Sequence, residues 1–291
     1  MPGTRPGVYE VTSQIGEGGM GQGYRATERA PCQDGERRER RMRAVSRFLL
    51  VSLLVVWANG AAAQTVDDVV DKCVAALGGR AALGKLKSRS ATGTITLSTP
   101  GGDLTGPVEV LNAAPNKSRT LISLDASALG AGLIVVDQRF DGTSGYVMDS
   151  LQGNRDITGN QLDNLRNGSF PTPLLNYKEM GATATLSGKE KVGAREAYVV
   201  TFEPPSGSVV RQYIDTETYL PLRLVAKLDV PQLGQQVEQT SEFSDYREVD
   251  GVKIAFHVAS TSAVQSLSIT LTKVEHNGQI DAALFSKPAK P

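Results

Sequence analysis

From Ala91 to Glu275 the chain keeps a two-residue rhythm of apolar and polar side chains, broken at short intervals by turn residues. Side chains of an extended strand point alternately to opposite faces, so this rhythm gives each strand one apolar and one polar side. Tyr198, Val200 and Phe202 fall on one side of their segment, and so do Leu222, Leu224, Ala226 and Leu228 of theirs. Ile254, Phe256 and Val258 align in the same way, as do Leu267, Ile269 and Leu271, with Ser268, Thr270 and Thr272 on the other phase. The expected strands are 91–98, 107–112, 118–125, 133–141 and 143–150, then 182–192, 197–204, 208–215, 220–229, 236–248, 252–262 and 267–275. Asp141-Gly142, Val192-Gly193 and Asp250-Gly251 mark tight reversals, the last being a pair favoured in two-residue hairpins. The predicted class is mainly β (α+β), with one large antiparallel sheet curved enough to approach a barrel.

Helix is scarce. Val66, Val69, Val70, Cys73, Val74 and Leu77 form a helical stripe closed by Gly78-Gly79, and 80–86 can add one or two turns. Thr158–Asn167 reads as a short helix with Thr158 as N-cap, and Leu174–Met180 as a helical turn after Pro171-Thr172-Pro173. A last turn is expected at Ile280–Phe285. These pieces are too few to cover the apolar side of so many strands, so an incompletely filled cavity is expected, the other outcome being a barrel that fills itself with side chains. The expected lining for an apolar guest is Val200, Phe202, Leu222, Leu224, Ile254, Phe256, Ile269 and Leu271. Each of them also suits plain core packing.

Upstream, residues 42–63 have the anatomy of a signal peptide. Arg43 and Arg47 precede Phe48–Trp57, a run in which only Ser52 is polar, and Ala61–Ala63 supply the small residues of a cleavage site. The run is short of the roughly 20 residues that a membrane-spanning helix needs. Cleavage after Ala63 leaves residues 64–291 as an exported, periplasmic domain. That part holds 22 Lys and Arg against 25 Asp and Glu, a balance that speaks against nucleic acid as its partner. Cys32 lies upstream, so Cys73 stands alone, no intramolecular disulfide is expected, and Cys73 reads as a core thiol.

Residues 1–41 are a different matter. Gly16, Gly18 and Gly21 follow a short strand-like stretch, and the segment resembles the Gly-rich phosphate loop of bacterial serine/threonine protein kinases. Gly23 stands where that pattern has valine, no V-A-I-K strand follows, and neither His257 nor His276 opens an H-R-D loop. Phe140-Asp141-Gly142 reads F-D-G, not D-F-G. Phosphoryl transfer needs lysine, base and magnesium ligands together. The segment is therefore expected to be a disordered kinase-like fragment, with Gly16, Gly18 and Gly21 as a nucleotide-binding remnant.

Other chemistry is not signalled. G-x-S-x-G is absent, and two lone histidines offer no zinc ligand set. Asp215, Glu217 and Asp245 sit in hairpins and read as turn and edge charges, and His257 as a solvated strand position. No enzyme, metal or cofactor is expected. Two stretches carry a family resemblance over about residues 64–288. Ile214-Asp215-Thr216-Glu217-Thr218-Tyr219-Leu220-Pro221-Leu222-Arg223 and Asp245-Tyr246-Arg247-Glu248-Val249-Asp250-Gly251-Val252-Lys253-Ile254 are similar to a hairpin and a strand pair of the LolA-like exported lipoprotein carriers, with Ala255 where proline is usual. That resemblance implies a half-open antiparallel barrel capped by a few short helices, whose cavity shelters a lipid or the acyl group of a lipoprotein without any cofactor. Three readings stay open: this carrier, a non-catalytic envelope module that docks other envelope proteins around a solid core, and a membrane-anchored kinase-derived fusion.

Overall fold

In a computed structural model of the protein, the described residues are 9–18, 21–28, 64–99, 101–127, 130–230, 234–263 and 265–288. They fall in two units divided between Ala62 and Ala63. In the upstream unit β1 (Tyr9–Gly18) and β2 (Gly21–Glu28) pair antiparallel, with Gly16 opposite Gly23 and Gly18 opposite Gly21. The expected signal segment, 42–63, lies outside the described residues.

The downstream unit starts with α1 (Val66–Ala76) and α2 (Gly79–Leu83). Thr65 caps α1: its hydroxyl accepts from the Asp68 amide at 3.1 Å while the Asp68 carboxylate accepts from the Thr65 amide at 3.0 Å. This reciprocal pair satisfies two amides that the first turn leaves open, and the charges of Asp67 and Asp68 suit the positive end of the helix. The stripe does what its spacing predicts, with Val69, Val70, Cys73 and Val74 at most 1% exposed.

Thirteen strands follow. The first six are β3 (Ser88–Thr99), β4 (Gly102–Ala113), β5 (Lys117–Asp125), β6 (Leu133–Phe140), β7 (Gly145–Asp149) and β8 (Arg155–Ile157). Then come β9 (Thr183–Val192), β10 (Arg195–Glu203), β11 (Val210–Asp215), β12 (Pro221–Val230), β13 (Gln235–Val249), β14 (Val252–Ser262) and β15 (Ser266–His276). They form one sheet in the order β8-β7-β6-β5-β4-β3-β15-β14-β13-β12-β11-β10-β9, every neighbour antiparallel. Two meanders thus share a seam at β3 and β15. Their free edges, β8 and β9, are consecutive in the chain, and the segment between them carries α3 (Gly159–Asn167) and a 3-10 turn at Pro173–Leu175. The sheet does not close. It is the half-open barrel that the sequence predicts, with β8 as a strand too short for its periodicity to reveal.

Directly opposed residues of an antiparallel pair share a face. Ile95 pairs with Ile269 and Leu97 with Leu267 across the seam, and Ile269 in turn with Val258. Following registers outward, Ile122, Val136, Phe256, Leu224 and Phe202 lie on this same face, called inner here because α1, α2 and α3 lie on it. Backbone approaches on the way are close enough to demand glycine. A Cβ on Gly106 would sit 1.8 Å from the Ser123 carbonyl oxygen, so only a bare backbone lets β4 coil against β5 at that point.

One expectation fails. Tyr213 pairs with Arg223 but Ile214 pairs with Pro221, which leaves Leu222 as an extra residue on β12. Such a bulge reverses the phase of the strand. Leu222 therefore packs with Ala197, Val199, Tyr213 and Val225 on the outer face, and not with Leu224. The outer face also carries Arg119, Asp137 and Arg139, where both guanidinium groups meet the one carboxylate at 2.8 Å and Arg139 reaches the Ser286 carbonyl beyond the 3-10 turn Ala282–Phe285.

Candidate functional site: an apolar cavity under a polar strap

Where α3 and the following turn lie over β10, β11 and β12, they leave a cavity of about 250 Å³. Leu174, Tyr177, Met180, Phe202, Leu224 and Leu228 form much of its wall, with Ala226 as part of its floor. Tyr177 meets Phe202 edge-on, ring centres 5.2 Å apart. Asn164, Asn167, Ser208 and Gln212 give the cavity one polar end, and no charged side chain lines it.

That polar end is the fastening of α3. The amides of Asn160 and Asn164 donate to the Ser208 hydroxyl at 3.2 and 3.0 Å, and the Ser208 amide donates to Asn164 Oδ1 at 2.7 Å. Ser208 Oγ donates in turn to the Lys227 carbonyl. Gln161 reaches the Asp229 carbonyl at 3.1 Å and Asn167 the Ser206 carbonyl at 2.8 Å. No residue of α3 is fully buried, so the helix is a strap held mainly by neutral hydrogen bonds. Thr158 occupies its N-cap position without making the side-chain bond.

The eight residues expected to line a guest site separate into five environments. Phe202 and Leu224 line the cavity. Val200, 0% exposed, is sealed beneath α1 with Val70 and Cys73. Ile254, Phe256 and Leu271 pack with Ala91 and Val274, while Ile269 packs against the cluster around Ile95 and Val108. Leu222 is on the other face. Much of the inner face beyond the cavity is only half-buried, including Leu97, Ile122, Val136, Val258, Leu267 and Ile269. Leu174, Tyr177 and Met180 were not foreseen as wall residues, since the segment that holds them has no strand rhythm; its Pro171-Thr172-Pro173 run was the signal.

Elsewhere the polar groups are structural. Burial pushes the Cys73 thiol up to about 12, so it stays protonated and inert. His257 Nδ1 lies 3.0 Å from the Thr270 hydroxyl at the surface. Asp245 pairs with Arg247. Among the described residues no three His, Cys, Asp or Glu side chains come together as a metal site. None of their helices is long and apolar enough to cross a membrane.

His276 is the one buried imidazole. Arg89 Nε donates to its Nε2 at 3.1 Å, so the ring proton must be on Nδ1, which faces Asp250 Oδ2 at 3.2 Å. Burial, reinforced by the Arg89 charge and opposed by Asp250, holds its pKa below the ordinary 6.5. The unfolded chain therefore takes up this proton before the folded one. The contribution of neutral His276 is whole above about pH 6.5 and is lost as the pH falls from there through the lowered folded value. Thermal melts between pH 7.5 and 5.5 should show a steeper acid loss for the wild type than for His276→Gln. Parallel slopes would refute the assignment.

No family model and no curated protein matches the chain. Solved structures do. A DUF1329 family protein from Desulfovibrio piger matches over 77% of this chain and 98% of its own, with a TM-score of 0.51 and 15% identity. A domain named for outer membrane lipoprotein sorting from Vibrio parahaemolyticus matches over 75% and 95%, with a TM-score of 0.49 and 13% identity. A LolA superfamily protein from Nitrosomonas europaea matches over 77% and 98%, at 0.48 and 14%. At such identities the likeness is one of fold.

Proposed function

We propose that the chain is an exported, periplasmic, non-catalytic carrier that shelters the acyl chain of a lipid or lipoprotein on the inner face of its half-barrel. The observation that carries this reading is the 250 Å³ apolar cavity beneath α3, continuous in phase with an inner face whose apolar side chains are only half covered. A volume of this size takes roughly eight groups of about 30 Å³, the share of one water in the liquid. At ~0.8 kcal/mol per buried methylene, the cavity offers on the order of 6 kcal/mol before ordering costs. A longer chain then continues along the open inner face.

Native mass spectrometry of protein purified from the cell should show a single acyl-bearing adduct that organic extraction removes. Ligand-free protein without affinity for a fluorescent fatty acid would overturn the carrier reading in favour of an envelope interaction module.

A further inference from the structure

On the inner face of β5 to β8 the polar side chains gather around one row, with Ser118 and Asp149 on the rows beside it. Thr120 on β5 opposes Gln138 on β6, Gln138 opposes Val147 on β7, and Val147 opposes Arg155 on β8. The flanking rows hold Ile122 with Val136 on one side and Phe140 with Ile157 on the other. A hydroxyl, an amide and a guanidinium thus share one line across the free edge of the half-barrel.

Their hydrogen-bonding capacity is unspent. Arg155 Nη1 is buried with no acceptor, and the side chains of Thr120 and Gln138 make no hydrogen bond among the described residues. Asp149, on the neighbouring row, spends one carboxylate oxygen on the amides of Leu151 and Gln152 and forms no ion pair with Arg155. The contrast with the outer face is direct: there Arg119 and Arg139 are both satisfied by Asp137. A buried guanidinium N–H without an acceptor is expensive, and such groups point to a partner from outside the chain. Adjacent strands lie ~4.8 Å apart, so Gln138 and Arg155 flank a gap of about 10 Å, which two long side chains can close around a small anion.

Position links this row to the cavity. α3 stands between them, with Asn164 and Asn167 on the cavity side and Leu165 over Gly145 and Ile157, next to the row. We propose that Arg155, with Gln138 and Thr120, binds the anionic oxygens of an amphiphile headgroup, a phosphate or a carboxylate, whose acyl chain lies on the apolar inner face. This rests on the carrier reading and specifies its cargo as acidic.

Calorimetric titration of the full-length protein with three probes, below their micellar concentrations, tests it: palmitoyl lysophosphatidate, monopalmitoylglycerol and inorganic phosphate. The wild type should bind the lysophosphatidate at least tenfold more tightly than the uncharged glyceride, and phosphate only weakly. Arg155→Gln should erase that preference while leaving glyceride affinity within about twofold, and Arg155→Lys should keep part of it. Removal of an unpaired charge should also leave the melting temperature of ligand-free Arg155→Gln equal to or above that of the wild type. Equal affinity of the wild type for both amphiphiles would sink the headgroup site and leave the carrier standing. Phosphate binding as tight as the lysophosphatidate would overturn it in favour of a free-anion site. Binding of neither amphiphile would remove the carrier reading itself.

Discussion

Ala226→Phe should abolish tight acyl binding while leaving the fold intact. Ala226 sits in the middle of β12 with its side chain directed into the cavity, opposite the wall made by Leu174, Tyr177 and Met180. A phenyl group there fills space that a guest would otherwise occupy. If it displaces about four methylenes at ~0.8 kcal/mol each, the loss is ~3 kcal/mol, which is more than 100-fold in affinity. The host loses nothing comparable, because the new ring enters existing space and touches apolar neighbours. Displacement of a fluorescent fatty acid measures the affinity, and a melting curve reports the fold. Unchanged affinity in a folded Ala226→Phe would show that the guest does not use this cavity. The matched control is Leu222→Ala, which removes an apolar side chain from the outer face: it should lower stability and leave affinity alone. The two variants together separate the face the bulge makes outer from the face that holds the guest.

The example of Leu222 also shows where reading the sequence stops. The alternation of Tyr198, Val200 and Phe202, and that of Leu267, Ile269 and Leu271, survives in the fold because neither stretch itself holds an extra residue; the slip opposite Val199 and Val200 leaves the extra residue, Ser187, on β9. The Asp250-Gly251 hairpin was equally legible: both residues adopt positive φ, 53° and 76°, the turn that matches the twist of the flanking strands. A bulge is decided by how β12 meets β11, and the rhythm of Leu222, Leu224, Ala226 and Leu228 carries no mark of it. β8 has three residues, too few to display any period. The cavity wall came from the irregular segment after α3, where periodicity is silent and only proline placement gives a hint. Arg155 was beyond reach altogether. Its neighbours Thr120 and Gln138 lie on separate strands, and only the registers of three successive pairs bring them into one line. Local rules expose faces; non-local pairing decides what meets on them.

The same hairpin that carries the family resemblance holds the residue whose loss should damage stability most. Asp215, 1% exposed, closes the β11–β12 turn: its Oδ1 accepts from the Glu217 amide at 3.0 Å, the Thr218 amide at 2.6 Å and the Thr218 hydroxyl at 2.9 Å. Its other oxygen meets Arg195 Nε at 2.7 Å. Asp215→Ala leaves two amides without their acceptor and a guanidinium without its carboxylate. Arg195 is half-exposed and partly compensated by water, so the ion pair adds little and the lost turn bonds dominate. A cost of ~3 kcal/mol is expected, which lowers the melting temperature of a domain this size by roughly 6–12 °C. The acid dependence identifies the mechanism. Burial works to raise the carboxyl's pKa, but the Thr218 and Glu217 bonds and the Arg195 charge together hold it below its ordinary value. An aspartate depressed in this way stabilises the fold fully above the unfolded value of about 3.9, and that contribution fades as the pH falls through the folded value. The gap between wild type and Asp215→Ala should therefore be widest at neutral pH and narrow in acid. Asp215→Asn, which keeps one oxygen for the Thr218 amide, should lose less and show a flatter profile. An Asp215→Ala protein that melts within 2 °C of the wild type at pH 7, or one whose deficit is the same at pH 3, would mean that the turn is held by β11–β12 pairing alone.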